Sequence, residues 1–506
     1  MNQPAVTLVS IVPALSFLVP VAAGAVVFLL RRTGRSSWQY ISVITSAVVA
    51  GCGLCMVVRV LDGAVLTTWR NELRVDALSA LLVALIGGIG FLSSLYSVPY
   101  LRQPDLLARL GQEAADRRVR TFYGLLLWFL ATMVWGCVTN NLVMLYVAVE
   151  ATTLTSGFLV AFYWDRRALE AGYKYLMLLT IGITFALFGC VLIYAAAAAT
   201  GKLAGVSSLL ISEVRPVVHL IPPGTAAIAV AFLVIGFGTK AGIAPFHPWL
   251  PDAHAEAPTP MSVLLSGVMI KMALYAMART VSIFYPSCSH VTVFLVALGV
   301  FTMALGIVMA LTQDDLKRLL AYSSVSQMGY VLAGVALGTS LGCYGGLFQL
   351  LNHAIYKALL FMCVGAVIYA TGGRRLSELG GLARSMPLTG VCFFVGALAI
   401  AGFPPLNGFW SKLTIYLALA EAGLWWAAAI AILVSLLTAA VMIRAGCAAF
   451  WLPAPETAAT PKREVPASMW VPMAILAIGC AVLGVYPQCV FPLLQQAASV
   501  VATVGR

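Results

Sequence analysis

The sequence predicts an all-α membrane protein with about fourteen transmembrane helices. Hydrophobic residues make up 61% of its 506 residues and charged residues only 9%, whereas soluble domains carry about 25% charged residues. Apolar runs long enough to cross a hydrocarbon core of about 30 Å recur from end to end. A transmembrane barrel would instead show short segments of alternating hydrophobicity. The composition therefore predicts a chain that folds within the bilayer as helices.

The apolar runs define the membrane spans, which short polar connections separate. The first run, 4–30, is too long for a signal-peptide core and has its basic residues after it, so we predict a membrane helix there. The run at 386–424 is long enough for one broken span. The predicted spans lie near 4–30, 38–61, 77–99, 120–138, 141–163, 171–199, 225–245, 261–284, 290–312, 317–338, 342–371, 386–424, 425–452 and 467–492.

None of the connections is long enough to form a soluble domain. We therefore predict that residues 1–506 form a single membrane domain. It would consist of N-terminal helices at 4–99, a first repeat at 120–284, a second repeat at 290–452 and a C-terminal helix at 467–506.

The net charge of +12 comes from lysines and arginines in short loops, which argues for a topological role and against a nucleic-acid-binding patch. The basic loops alternate along the chain, although Arg59, Arg70 and Arg74 lie in one of the other loops. The positive-inside rule then predicts that the basic loops are cytoplasmic and both termini are outside. The basic loops contain Arg31, Arg32, Arg35, Arg102, Arg109, Arg117, Arg118, Arg120, Arg166, Arg167, Lys317, Arg318, Arg374, Arg375, Arg384, Lys462 and Arg463.

The eleven cysteines are scattered singly through apolar surroundings. Only Cys52 and Cys55 have C-x-x-C spacing, and they lie inside a hydrophobic run. Buried small side chains are a better interpretation of this pair than a metal site. Without a cysteine cluster for an iron–sulfur centre or a glycine-rich phosphate loop, we predict that this chain holds no cofactor and no metal.

A broken hydrophobic segment gives the strongest functional signal. Lys240 comes late in an apolar run, which Pro245, Pro248 and Pro251 then interrupt. Interrupted backbone at membrane depth is tolerated only where protein or a water-filled cavity surrounds it, and in many transporters such breaks form the ion site. The segment therefore predicts a buried proton-handling site.

A similar break occurs later in the chain. Gly242-Ile-Ala-Pro245 with Trp249 matches Gly402-Phe-Pro-Pro405 with Phe409 at a constant offset, and a lysine lies close to each tract, Lys240 in one case and Lys412 in the other. Broken helices at corresponding places in two halves favour an internal repeat with a transport site.

Glu150 lies about ten residues from each end of its span, so it is expected near mid-membrane. Charged residues there are costly and are functional candidates. Thr153, one turn further on, is expected to support the carboxylate, and Lys240 is its natural counter-charge. Two unit charges about 4 Å apart attract by about 4 kcal/mol at an effective dielectric near 20, so the pair could act as a proton switch. The alternatives are a neutral buried acid and a static ion pair.

Three further spans carry protonatable groups. Lys271 lies ten residues into its span, too deep to reach the interface easily, and is a proton relay or a structural lysine. His353 and Lys357 are four residues apart, on one helix face, and form a candidate relay step. Lys412 follows the second break and is the candidate nearest the outside.

The proline-rich break also contains His247 and His254, candidate relays because histidine titrates near neutral pH. A zinc site from these histidines and Asp252 is an alternative, although Asp252 and Glu256 are expected to cap helix ends. Lys174, near the start of a span, is either an access residue or a lysine that reaches the cytoplasmic interface.

Taken together, these segments resemble the antiporter-like, proton-pumping membrane subunits of respiratory complex I and its relatives. The stretch from Asn140 to Val160 is most similar to the F subunit of hydrogenase-4 and formate-hydrogenlyase complexes, close cousins of the M-type complex I subunit. The matching tracts are the Glu150 helix, Lys240 to Pro260, Lys271 with Tyr275 and Arg279, Asp315 to Gly329, Asn352 to Lys357, and Gly402 to Phe409.

This resemblance implies fourteen helices with two inverted five-helix repeats, each containing a broken helix. It also implies that Glu150 and Lys240 form the coupling pair, Lys271 the central relay, His353 and Lys357 the next steps, and Lys412 the outlet. Some subunits of the class have an acid where Lys412 stands. Certain relatives have a second histidine at Gln349.

The sequence therefore predicts a proton-translocating subunit of a larger redox complex in a bacterial inner membrane, of the hydrogenase-4 or NADH-quinone oxidoreductase kind. Iron–sulfur clusters, NiFe or flavin are expected only in partner subunits, both membrane-embedded and hydrophilic. Two alternatives remain. One is a subunit of a multisubunit Na⁺/H⁺ antiporter, and the other is a non-conducting scaffold.

Overall fold

The computed structural model describes residues 6–30, 34–102, 112–203, 205–285, 289–453 and 464–502. Arg31, Arg32, Arg109, Lys462 and Arg463 of the basic loops lie outside these residues. Within them the fold is a bundle of long helices, as predicted. The helices are α1 (Val12–Leu29), α2 (Arg35–Leu61), α3 (Ala77–Tyr100), α4 (Gln112–Val138), α5 (Leu142–Val160), α6 (Arg166–Ala199), α7 (Pro223–Ala241), α8 (Trp249–Glu256), α9 (Thr259–Phe284), α10 (Ser289–Leu311), α11 (Leu316–Ala336), α12 (Ser340–Thr371), α13 (Pro387–Ala401), α14 (Asn407–Glu421), α15 (Trp425–Trp451), α16 (Ala467–Val485) and α17 (Phe491–Val501).

Thirteen helices among the described residues are long and apolar enough to cross a membrane. The predicted broken span at 386–424 consists of the two half-helices α13 and α14. Together these half-helices account for the fourteenth crossing. The helical fold class is confirmed. The chain is a multi-pass membrane protein.

Burial divides the helices into an inner and an outer set. α9 is buried along its whole apolar length and α11 almost as fully, whereas less than half of the apolar length of α1, α2, α6 and α16 is buried. α9 packs against α7 and α4, and its N-terminal part packs against α3 and α12. Since lysine, histidine and serine side chains of α9, α11 and α12 are among the buried residues, the polar interior of the bundle is built on these three helices.

Both helix breaks have the same backbone design. α7 ends at Gly242 and α13 at Gly402, each in the left-handed region (φ 73° and 87°), a conformation that glycine adopts without steric cost. After each glycine the chain returns a hydrogen bond to the helix, from Ile243 to Gly238 and from Phe403 to Leu398, both 3.0 Å. A cis proline follows at corresponding positions in the two tracts. The repeated sequence tract thus has a repeated structure.

Three features differ from the sequence prediction. The first helix begins at Val12, because residues Val6–Val9 form a strand that pairs in parallel with Ala64–Thr68. The strand Ala64–Thr68 also pairs antiparallel with Leu73–Val75, which makes a three-stranded sheet. After α16 the chain forms the additional helix α17, which packs against α3 and α12.

The two ends of the described chain lie at one face of the bundle. The backbone N–H of Ser10 donates a hydrogen bond to the carbonyl oxygen of Thr67 (3.0 Å). The side-chain Nη1 of Arg215 donates one to the carbonyl oxygen of Val500 in α17 (2.8 Å), and Val500 lines the same cavity as Val65 of the sheet. Cys55, in α2, is exposed. The expectation that Cys52 and Cys55 are both buried was therefore wrong, because their helix forms the outer surface.

The α10–α11 contact depends on two glycines that face each other. A Cβ atom at Gly329 would lie 2.5 Å from the carbonyl oxygen of Gly299, so the Gly329→Ala variant forces the helix backbones apart. We expect the free energy of unfolding in detergent to fall by about 1–3 kcal/mol. Gly88→Ala is the control, because open space surrounds Gly88. Equal denaturation midpoints for the two variants would contradict this packing.

Candidate functional site: a line of buried lysines and histidines

The site begins between α5, α6 and α7. Lys240 is buried, and its Nζ donates a hydrogen bond to Thr153 Oγ1 (2.7 Å). Glu150 is half-buried, and its Oε1 accepts a hydrogen bond from Thr180 (2.9 Å). Its other oxygen, Oε2, is buried without a hydrogen-bond partner among the described residues. The prediction that Thr153 supports Glu150 was therefore wrong, because the Thr153 hydroxyl points across to Lys240 on α7.

Lys271 occupies the centre of the bundle, in the fully buried helix α9. Its ammonium group donates a hydrogen bond to the carbonyl oxygen of Ser266, which belongs to a π-helical turn, Leu265–Met269. Such turns change the backbone hydrogen-bond pattern of a helix and are frequent at functional sites. The hydroxyl of Ser266 lies 2.8 Å from that of Ser324 in α11, so the lysine is linked to the neighbouring helix.

His353 and Lys357 are buried on the same helix, α12. Lys357 donates hydrogen bonds to the carbonyl oxygen of Leu320 (2.7 Å) and the hydroxyl of Ser323 (2.6 Å), both in α11. Neither ring nitrogen of His353 has a partner among the described residues. In this pair, therefore, the Lys357 ammonium group is held by α11, whereas the His353 ring has no hydrogen bond among the described residues.

Lys412 lies directly after the second break. Its Nζ donates to the carbonyl oxygens of Ile400 (2.8 Å) and Ala401 (3.3 Å), at the end of α13, and to Ser435 Oγ (2.9 Å). The last carbonyl groups of a helix lack helical partners and carry the negative end of its dipole, which favours a cation there. A cavity of about 240 Å³ lined by Phe403 and other residues of the break opens beside Lys412.

The two histidines of the first break have different environments. His254 is fully buried and stacks on Phe361, with 4.7 Å between ring centroids, and its ring nitrogens have no partner among the described residues. Since the ammonium group of Lys357 lies 5.9 Å from the centroid of the same Phe361 ring, His254 joins the line of buried groups. His247 is half-buried near Tyr322 at the edge of the bundle.

Ion pairs lie at the protein surface beside the first break. Asp252 pairs with Arg318 and with Lys174 (3.7 Å), and Lys174 also pairs with Glu170 (2.7 Å). Arg374 joins Glu256 (3.1 Å) to Asp315 (2.8 Å). The expectation that Asp252 and Glu256 cap helix ends was therefore wrong, because arginines of distant segments bind them. The described residues contain no group of three potential metal ligands.

Sequence reasoning missed two elements of the site. Lys317, assigned to a loop, is buried and donates to the carbonyl oxygen of Ala257 (2.7 Å). Arg279, at the far end of α9, binds both carboxylate oxygens of Asp76 (2.8 Å each). Burial alone would raise the pKa of Asp76, but the charge and hydrogen bonds of Arg279 lower it below the ordinary value. The sequence signal that could have identified Arg279 as part of the site is an arginine within an apolar span.

A helical bundle with two broken helices and a buried line of lysines defines the class of antiporter-like membrane subunits. Residues 139–438 match the family described as "NADH:quinone oxidoreductase/Mrp antiporter, TM". The chain belongs to this family.

Its relatives divide between redox complexes and antiporters. The chain is 35% identical over 436 residues to "NADH-quinone oxidoreductase subunit N" of Desulforudis audaxviator, covering 83% of this chain and 82% of the relative. It is 32% identical to "Hydrogenase-4 component F homolog" of Methylacidiphilum infernorum, covering 67% and 71%. It is 35% identical to a Na⁺/H⁺ antiporter subunit of Alkalihalophilus pseudofirmus, covering 69% of this chain and 43% of that relative.

Solved structures match nearly the whole chain. One of them is a chain of the membrane-bound sulfane sulfur reductase, described as an archaeal respiratory membrane complex. The TM-score is 0.86 at 28% identity, and the match covers 98% of each chain. The fold of this chain is therefore also found in a subunit of a respiratory membrane complex.

The burial of the lysine line can be measured directly. With an amine-acylating reagent on the folded protein, we expect Lys240, Lys271, Lys357 and Lys412 to react at least about tenfold more slowly than the exposed Lys202, because exposing them requires local opening of the bundle. Mass spectrometry would quantify each adduct. Equal labelling of Lys271 and Lys202 before denaturation would contradict the fold.

Proposed function

We propose that this chain is a proton-translocating subunit of a larger redox complex. Protons would move along Glu150, Lys240, Lys271, His353, Lys357 and Lys412, with His247, His254 and Lys174 on the access side. The single observation that carries the proposal is the way the interior lysines are held. Among the described residues, none of the four forms an ion pair within 4.0 Å, and their hydrogen-bond acceptors are hydroxyl and carbonyl oxygens.

That pattern favours proton exchange over a structural role. A buried charge that only holds a fold together is normally paired with an opposite charge. An ammonium group with neutral acceptors can lose its proton and leave a neutral amine in the same place. The unpartnered ring nitrogens of His254 and His353 add acceptors along the line, and buried polar atoms of this kind are expected to bind water.

Coupling would begin at Glu150. One carboxylate oxygen is held by Thr180 and the other has no partner among the described residues, so the side chain has an oxygen to offer to Lys240. Bringing the two charges to about 4 Å is worth about 4 kcal/mol at an effective dielectric near 20. Moving one proton against 100 mV costs about 2.3 kcal/mol. A shift of Glu150, driven by a partner protein, would therefore suffice to change the protonation of Lys240.

Access from the surface would run through the first break. Lys174 and Asp252 lie at the surface end in an ion pair, and His254 lies buried behind them. Because α8 carries both Asp252 and His254, a movement of this short helix would alter both together. Lys174 would therefore act in proton uptake and not within the interior line.

The redox chemistry would reside in partners. We infer membrane and hydrophilic partner subunits because the relatives are subunits or components of such assemblies. Iron–sulfur clusters, NiFe or flavin would belong to those partners, since the cysteines described here are scattered singly. The hydrogenase-4 and NADH-quinone oxidoreductase types of complex are both consistent with the relatives.

A second candidate function is a subunit of a Na⁺/H⁺ antiporter, which the 35% identity to an antiporter protein favours. A third is a scaffold that conducts nothing. Sodium uptake without a redox substrate would support the antiporter.

The function can be tested in membrane vesicles that contain the assembled complex. Substituting Ala for Lys240, Lys271 or Glu150 should reduce the number of protons moved per redox turnover to the level without this subunit, because each substitution removes a protonatable group from the line. Vesicle acidification and electron transfer would be measured together. Normal pumping by assembled variants would support the scaffold.

A matched pair of threonines on α5 provides the control. Thr153→Val removes the acceptor of Lys240, and a hydrogen bond to a charged group contributes about 1.5–3 kcal/mol, so pumping should fall. Thr152→Val should pump normally, because the Thr152 hydroxyl donates only to Val149 of its own helix (2.6 Å). Equal pumping by the two variants would contradict a role for the Lys240 hydrogen bond.

We also propose that this subunit lies in a bacterial inner membrane with both termini on the periplasmic side. The gathering of Lys174, Arg318 and Arg374 at one face supports a cytoplasmic location for that face under the positive-inside rule. α6, with 34 residues, is about 50 Å long. Lys174 lies in its first part, and Lys202 follows its other end. An impermeant amine reagent should label Lys174 only from the cytoplasmic side and Lys202 only from the other. The reverse pattern would invert the orientation.

A further inference from the structure

A second set of charged residues lies outside the lysine line. Arg279, near the end of α9, binds Asp76, the residue before α3, with two hydrogen bonds of 2.8 Å. The two side chains are only 10% and 13% exposed. A nearly buried ion pair at the end of the most deeply buried helix has no role in the path described so far.

On its outer side the Asp76–Arg279 ion pair borders two cavities. A cavity of about 330 Å³ is bounded by Asp76, Arg279, Arg74 and Asn140. A neighbouring cavity of about 1080 Å³ is also lined by Asp76 and extends beneath α17. Asp76 therefore lies beside both cavities.

On its inner side the pair contacts buried hydroxyl groups. Arg279 Nε donates to the hydroxyl of Tyr275 (2.8 Å), and its Nη2 donates to Ser79 Oγ (2.8 Å). The hydroxyls of Tyr275 and Ser79 lie 3.0 Å apart, and both residues are buried. Because the same Nη2 atom binds Ser79 Oγ and the Asp76 carboxylate, the two hydroxyls and the carboxylate form one cluster between the interior and the cavity.

Tyr275 is one helical turn beyond Lys271 on α9. Residues four apart lie on the same helix face, about 6 Å apart along the axis. The Lys271 ammonium group donates to Ser266, in the opposite direction along the helix. A change of side-chain rotamer would turn it from the π-helical turn towards Tyr275.

We propose that Tyr275, Ser79, Asp76 and Arg279 form the outward proton exit of the Lys271 site. This inference rests on the proposed function. For this, the Tyr275 hydroxyl turns from the carbonyl oxygen of Cys137, to which it donates (2.7 Å), towards Ser79. The Lys271 ammonium group gives a proton to the Tyr275 hydroxyl, and the Tyr275 and Ser79 hydroxyls each pass their own proton onward. Rotation of the Ser79 side chain brings its hydroxyl to the Asp76 carboxylate, which accepts the last proton and releases it to water in the cavity. Lys271 is left as a neutral amine and takes a new proton from the access side.

Arg279 has a defined part in this exit. Its guanidinium group keeps the pKa of Asp76 low despite burial, so Asp76 stays ionised between transfers and can accept the next proton. It also holds the Tyr275 and Ser79 hydroxyls in one place. Arg279 is thus a positioning residue, while Tyr275, Ser79 and Asp76 carry the proton.

The test uses the assembled complex in vesicles, with Lys271→Ala as reference. Asp76→Asn and Tyr275→Phe should both reduce protons per redox turnover to the Lys271→Ala level. Tyr275→Phe keeps the ring and both charges, so it tests the exit even if the charge variants do not assemble. Glu213→Gln, an exposed acid near the same face, should pump as the unmodified complex does.

The double variant Asp76→Asn/Arg279→Gln separates transport from structure, because it removes both charges and leaves neither unpaired. Normal pumping by it, or by Tyr275→Phe, would overturn the exit. If Lys271→Ala itself pumps normally, the proposed function fails and the exit fails with it. If Lys271→Ala is impaired and the exit variants are not, only the exit is wrong.

Discussion

Lysines in the interior of this bundle are held by backbone carbonyl oxygens that, in a regular helix, would accept the hydrogen bonds of the helix itself. In the hydrocarbon region, backbone polar groups must be satisfied within the protein, so few carbonyl groups there are free to accept a hydrogen bond from a side chain. The chain creates such groups by interrupting helices. The π-helical turn of α9 offers the Ser266 carbonyl to Lys271, and the end of α13 offers those of Ile400 and Ala401 to Lys412. Each of these two interruptions is therefore both an irregularity in the backbone and a binding site for an ammonium group.

The two breaks share their backbone but not their chemistry. Glycine, the returned hydrogen bond and proline recur at corresponding positions. Lys240, however, precedes its break and binds the side chain of Thr153, whereas Lys412 follows its break and binds the helix end. The first lysine is consequently held by a side chain of a neighbouring helix. The second is held by backbone carbonyl groups of its own broken segment together with Ser435 Oγ of α15.

α9 connects the parts of the molecule. Its N-terminal end follows α8, whose acidic side chains meet the basic residues of one face, and its C-terminal end carries Arg279, paired at the other face. Lys271 lies between them. Because the apolar length of α9 is buried throughout, its polar side chains contact protein and not lipid. A single helix thus spans the distance from the access side to the cavities beneath α17, and the other helices supply partners along it.

The sequence by itself determined the helical fold class, the spans, the two breaks and the deeply buried lysines. These features are local: hydropathy over about 20 residues predicts a span, proline and glycine interrupt it, and a charge in its middle is visible at once. Only the tertiary structure decided which groups meet. Thr153 accepts a hydrogen bond from Lys240, Asp252 and Glu256 bind arginines, and Asp76 pairs with Arg279. In each case the two partners belong to segments far apart in the chain. The strand Val6–Val9 was hidden for the same reason, since its hydrogen-bond partner lies beyond two helices. Hydrogen bonds and ion pairs form between atoms within a few ångströms of each other, and no local pattern in the sequence specifies which distant atoms the packing of helices will bring that close.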